Sequence, residues 1–118
     1  MNRILDERAL GTRRPDGLLE PRMARLLRRA GLPPASFQYE IRDRLGRLLA
    51  RVDFAYPDVM LAIEVDGYEI HGSPGAMAKD FVRQNGLVST GWRVLRFTWS
   101  QVVREPDMVA TAIAAALA

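Results

Sequence analysis

Residues 51–67 read Arg51-Val52-Asp53-Phe54-Ala55-Tyr56-Pro57-Asp58-Val59-Met60-Leu61-Ala62-Ile63-Glu64-Val65-Asp66-Gly67. Strand side chains alternate between faces, so Arg51 and Asp53 share one face of the first run while Val52 and Phe54 share the other. After the break at Pro57-Asp58, Leu61, Ile63 and Val65 lie on one face, and Ala62, Glu64 and Asp66 on the opposite one. A two-residue turn at Pro57-Asp58 places Asp53 opposite Ala62 and diagonal to Glu64. A four-residue turn keeps the faces and moves the diagonal by one pair. Diagonal cross-strand neighbours lie within about 7–8 Å, a gap that one divalent cation bridges. Three carboxylates on adjacent central strands repel one another unless a cation or an arginine balances them. Ion pairing, for instance Arg51 across from Glu64, accounts for one acid and leaves Asp53 and Asp66. Ligands that are all oxygen select a hard ion, Mg²⁺ or Mn²⁺, rather than zinc.

Working outward, Leu18, Leu19, Met23, Leu26 and Leu27 recur at helical spacing behind a cap candidate, Asp16. Gly31, Pro33 and Pro34 stop that helix. Phe37 to Ile41 alternates as a strand, Asp43-Arg44-Leu45-Gly46 supplies a turn, and Arg47 to Tyr56 forms a second strand. Val59 to Asp66 is the third. Gly72, Ser73, Pro74 and Gly75 predict a loop over residues 68–76, followed by a helix over 76–90 with Met77, Phe81, Leu87 and Val88 toward the core. Trp92 to Phe97 is a fourth strand, and residues 107–118 form a final helix capped by Asp107 behind Pro106. The order α-β-β-β-α-β-α predicts an α/β sandwich around a mixed four-stranded sheet flanked by helices. Residues 1–15 are read as a lead-in and 16–118 as one domain.

The chain has 118 residues and no cysteine, which excludes disulfides, thiolate metal sites and thiol nucleophiles. No apolar stretch is long enough to span a membrane and no signal-peptide pattern opens the chain, so a cytoplasmic protein is expected. Residues 1–51 carry twelve arginines and six acids, whereas residues 52–118 carry five basic residues and eight acids. A basic half beside an acidic half suits a polyanion held near a carboxylate cluster. Arg22, Arg25, Arg28 and Arg29 on the polar face of the first helix, with Arg51, are the candidate nucleic-acid contacts. A solvated surface is the plainer reading of the same charges.

His71, the single histidine, follows Asp66 by five residues. A neutral imidazole there is placed to take a proton from a water attacking a phosphodiester. Asp80 and Arg83 are three apart and share a helix face, which makes a local ion pair. The sharper reading is Arg83 or Lys79 on the scissile phosphate. Glu20 on the first helix is a candidate to hold a metal-bound water. Trp92 and Trp99 read as core or sheet-edge aromatics.

Residues 48–103 resemble the nuclease core of the PD-(D/E)XK, restriction-endonuclease-like superfamily. The nearer likeness is to a bacterial branch allied to the very-short-patch-repair (Vsr) endonucleases. The likeness rests on Arg51-Val-Asp53-Phe-Ala-Tyr-Pro-Asp58, on Ala62-Ile-Glu64-Val-Asp66-Gly67-Tyr-Glu-Ile-His71, on Asp80 through Arg83, and on Gly91-Trp-Arg-Val-Leu-Arg-Phe-Thr98. Glu20 and the leucines after it resemble the family's first helix. The resemblance implies a Mg²⁺-dependent (or Mn²⁺-dependent) endonuclease acting on DNA. Asp53 would be the primary ligand, with the Glu64 side chain and the Val65 backbone carbonyl completing the site and His71 near the attacking water. Asp66 stands where the superfamily usually has lysine. It would bind a second ion or orient His71, with Arg83 or Lys79 providing the positive charge. The competing expectation is a nuclease-fold module without catalysis that binds nucleic acid or a protein partner. Oligomeric state is left open, a homodimer included.

Overall fold

The computed structural model describes residues 17–67 and 74–118. The lead-in, Asp16 and His71 lie outside the described residues. Helix α1 spans Leu19–Arg29, followed by strands β1 (Ser36–Arg42) and β2 (Leu48–Tyr56), a 3₁₀ turn at Pro57–Val59, and β3 (Leu61–Asp66). Helix α2 (Pro74–Ser89), strand β4 (Arg93–Thr98) and helices α3 (Trp99–Arg104) and α4 (Pro106–Leu117) complete the order. The strands form one mixed sheet in the order β1-β2-β3-β4. β1/β2 and β2/β3 are antiparallel, and β3 reaches β4 through a helix, as a parallel crossover requires. Among the described residues no helix is long and apolar enough to cross a membrane.

Several boundaries differ from the sequence reading. The third strand begins at Leu61 rather than Val59, because Pro57–Val59 turns as a 3₁₀ helix and Met60 is left-handed. Helix α2 begins at Pro74 rather than at residue 76, because proline presets the helical φ and lacks only an N–H that the first turn leaves unpaired. Residues 99–104 form an additional helix, closed by a capping box in which Thr98 Oγ1 accepts from the Gln101 N–H and Gln101 Oε1 accepts from the Thr98 N–H. The last helix starts at Pro106, and its cap position is Glu105 rather than Asp107, with no side-chain cap bond.

The described chain resolves into two compact units. The first holds residues 17–34, 65–67 and 96–118. In it, α1 packs against α4, and α4 against α3. Leu19, Met23, Leu26 and Leu27 form the buried stripe of α1, beside Val65, Phe97, Val102, Val109 and Ile113. Leu18, expected in that stripe, is exposed. Gly31, at φ +72°, ends the α1 segment in the left-handed region that glycine enters without strain.

The second unit holds residues 35–64 and 74–95. Its core gathers Ile41, Ala50, Val52, Ala55, Ala62, Leu87 and Trp92, with the Tyr39 ring tilted against Trp92 at 6.0 Å. Asp43 closes the β1–β2 hairpin, its Oδ1 accepting the N–H groups of Leu45 and Arg47, both at 2.9 Å. These N–H bonds, that of Arg47 foremost, hold the Asp43 carboxyl below its usual range. Helix α2 packs on β2, but of the four residues expected to face the core only Leu87 is buried. Met77, Phe81 and Val88 are exposed, because their spacing sets them together on one face of the helix, turned away from the face of Arg83 and Leu87 that meets the sheet.

Leu87→Ala is therefore expected to cost about 2–5 kcal/mol in urea unfolding, the range for emptying a buried leucine site. Phe81→Ala and Val82→Ala, on the exposed side of the same helix, are expected to stay within about 0.5 kcal/mol. Comparable losses at all three positions would contradict this packing.

Candidate active site

The register of β2 against β3 positions the acids. Tyr56 pairs with Leu61, Ala55 with Ala62, and Phe54 with Ile63, across a four-residue connection. Met60 makes that connection possible by adopting φ +53°, and its carbonyl accepts the Arg93 N–H at 2.9 Å. One further step of the same register sets Asp53 directly opposite Glu64. The shorter turn that would place Asp53 opposite Ala62 is not the one formed. Directly opposed residues have Cβ atoms about 4.5–5.5 Å apart. Both side chains are nearly withdrawn from solvent, each residue 9% exposed. Gln38, on the neighbouring strand between Phe37 and Tyr39, takes φ +56° at the position facing Asp53.

Two charges of one sign at that spacing and burial need a counter-charge. Arg83 of α2 supplies it. Its Nη1 donates to Glu64 Oε1 at 2.9 Å and its Nη2 to Glu64 Oε2 at 2.5 Å. Nη2 also donates to the Arg51 backbone carbonyl at 3.2 Å, and Nη1 lies 3.8 Å from Asp80 Oδ1. The fork thus ties α2 to both β2 and β3. The local Asp80–Arg83 pair expected from helical spacing is present but long.

Arg51 does not meet Glu64. It pairs with Glu40 across the β1–β2 ladder at 3.4 Å, and Arg42 holds the same carboxylate at 2.9 Å. Together, Arg42 first, these guanidinium groups keep the Glu40 carboxyl below its usual range. Lys79 is exposed on α2.

The other described site candidates lie in the first unit. Asp66 is held by Arg96 of β4, whose Nη2 donates to both carboxylate oxygens at 3.2 and 3.1 Å. Arg96 escaped the sequence reading; an arginine set between Leu95 and Phe97 inside the strand was the available signal. Val65 is fully buried, and Glu20 is exposed on α1. Arg25, Arg28 and Arg29 project from α1 into solvent, while the Arg22 guanidinium lies 5.6 Å over the Trp99 ring. Trp92 is a core residue, 8% exposed. Among the described residues no group of three or more acidic or histidine side chains is gathered closely enough to hold a cation. Asp53 and Glu64, with Arg83, are the assembly of chemistry-bearing groups in the second unit whose carboxylates are both nearly buried.

The chain spans about a third of the length of the curated relatives it matches. Uncharacterized protein Rv2248 and Uncharacterized protein MT2308, from two strains of Mycobacterium tuberculosis (ATCC 25618 / H37Rv and CDC 1551 / Oshkosh), are each 39% identical to it over 84 residues. That stretch is 71% of this chain and 31% of each relative. No solved structure matches. The REase_MTES_1575 family, a restriction-endonuclease-like family, matches residues 23–117, which take in most of α1, the whole sheet and both carboxylates. By that match the chain belongs to the REase_MTES_1575 family of restriction-endonuclease-like proteins.

Proposed function

We propose that this domain is the core of a metal-dependent endonuclease that hydrolyses DNA phosphodiester bonds at the Asp53–Glu64 pair. The observation that carries the reading is the direct cross-strand placement of two nearly buried carboxylates in a chain of a restriction-endonuclease-like family. The donor set suits Mg²⁺ or Mn²⁺, since such an ion is commonly held by one or two carboxylates and keeps several waters. When bound, the ion lowers the pKa of a water and offsets charge growing on the phosphate. Asp53 and Glu64 would hold it, their positions set by the β2–β3 ladder rather than by a loop. The Arg83 fork matches two phosphate oxygens once it is released from Glu64. The exposed arginines of α1 supply sequence-independent contacts to the nucleic-acid backbone. His71 as proton acceptor and Asp66 as the residue orienting it remain part of the proposal through the family resemblance.

A second reading has its own support. Arg83 balances Glu64 and Arg96 balances Asp66, so these two acids are neutralised by the chain itself. A nuclease-fold module that binds nucleic acid without cutting it would keep such pairs.

Plasmid nicking with Mn²⁺ or Mg²⁺ separates the two. The endonuclease reading expects cleavage that EDTA abolishes and that Asp53→Ala lowers about 100-fold or more. Undiminished cutting by Asp53→Ala removes the assignment, and binding without turnover favours the second reading. On either reading, the double variant Arg25→Ala/Arg28→Ala is expected to weaken duplex binding. Removing two phosphate contacts should flatten the slope of log K against log salt by about 1.8.

A further inference from the structure

Arg83 and a divalent cation would compete for the same atoms. The guanidinium engages both oxygens of Glu64, at 2.9 and 2.5 Å, so an ion that takes Glu64 as ligand meets one lone pair of each oxygen already committed and a full positive charge beside it. The Glu64 side chain is only 11% exposed, which leaves little room for a second cation to approach while the fork stays in place. Two positive charges on one buried carboxylate would also repel each other across a poorly screened gap. Arg83 itself has somewhere to go. Its side chain is 28% exposed, and its backbone is carried by a helix anchored one turn later through Leu87, so the guanidinium is able to swing on its flexible stem without moving the helix.

We propose that Arg83 is the resident counter-cation of Glu64, and that loading of a divalent cation at the Asp53–Glu64 pair proceeds by exchange with it. This inference rests on the reading of that pair as a cation site. In the exchange no covalent bond changes: two charge-assisted hydrogen bonds to Glu64 are given up and oxygen–cation contacts replace them. Arg83 is a positioning residue in this scheme. It neutralises Glu64 beside Asp53 when no ion is bound, and it sets how much free cation is needed to load the site.

The test is titration of Mn²⁺, followed by calorimetry and by loss of the free-ion paramagnetic resonance signal, into wild type, Arg83→Gln, Arg83→Lys and Asp53→Ala. Thermal melting without added metal accompanies each titration. Exchange expects Arg83→Gln to bind Mn²⁺ about tenfold more tightly than wild type, the factor set by sparing a charge-assisted bond, although it melts lower without metal. Arg83→Lys, which keeps a charge but loses the fork, should fall between them and serves if the glutamine variant does not fold. A purely structural arginine would lower melting and metal affinity together. Equal or weaker Mn²⁺ binding by folded Arg83→Gln and Arg83→Lys overturns the exchange while leaving the cation site standing. Absence of binding in wild type and in both Arg83 variants overturns the cation site and the exchange with it. Binding that survives Asp53→Ala unchanged places the ion elsewhere and has the same consequence.

Discussion

The pairing of Phe54 with Ile63 is the constraint from which the candidate site follows. Because side chains alternate along each strand, that one contact sends Phe54 and Ile63 to one face and brings Asp53 and Glu64 together on the other. A slip of one residue would turn one of the acids to the opposite face. The register in turn depends on a tight connection in which Met60 accepts a left-handed conformation, a modest cost for an unbranched side chain. Gly91 approaches the same place from the start of β4. At φ +99°, with Met60 Cε 3.2 Å from where a Cβ would sit, it leaves the space that this turn needs. Backbone geometry at residues 60 and 91 thus bears on the chemistry at 53 and 64.

Placing two carboxylates side by side out of water creates a demand for positive charge, and the fold meets it with arginines. Arg83 reaches Glu64 from a helix, and Arg96 reaches Asp66 from the strand beside it. Arg42 and Arg51 share Glu40 at the hairpin. Arginine suits these roles because its planar fork meets both oxygens of a carboxylate at once. The exposed pairs contribute little to stability. The Arg83–Glu64 pair is different in kind: removing one partner would strand a charge in a largely buried setting. The arginine-rich composition thus divides between internal charge balance and an outward ridge on α1.

Much of this was legible in the chain itself. Alternation of apolar and polar residues marked the strands, the Leu19-Met23-Leu26-Leu27 spacing marked α1, and the common face of Asp53 and Glu64 followed from parity alone. Other features were not. The four-residue connection was one of two options of equal parity, and only pairing across the sheet selects between them. Met77, Phe81 and Val88 are apolar at positions that suggest a core-facing helix, yet of the four residues expected there only Leu87 is buried, because the face that meets the sheet is the one carrying Arg83 and Leu87. The Trp99–Arg104 helix is too short for periodicity to reveal and depends on its capping box.

What the sequence by itself determined is the set of elements, their order, and the face each acid occupies. These rest on interactions between near neighbours along the chain: alternation, helical spacing, turn chemistry. Only the tertiary structure decided which arginine answers which acid. Arg51 was close in sequence to the acids and was a reasonable partner for Glu64, but cross-strand pairing gave it to Glu40. Arg83, nineteen residues away from Glu64, took the buried carboxylate instead. Long-range electrostatics depends on where elements pack, and side-chain reach in space has no counterpart in spacing along a chain.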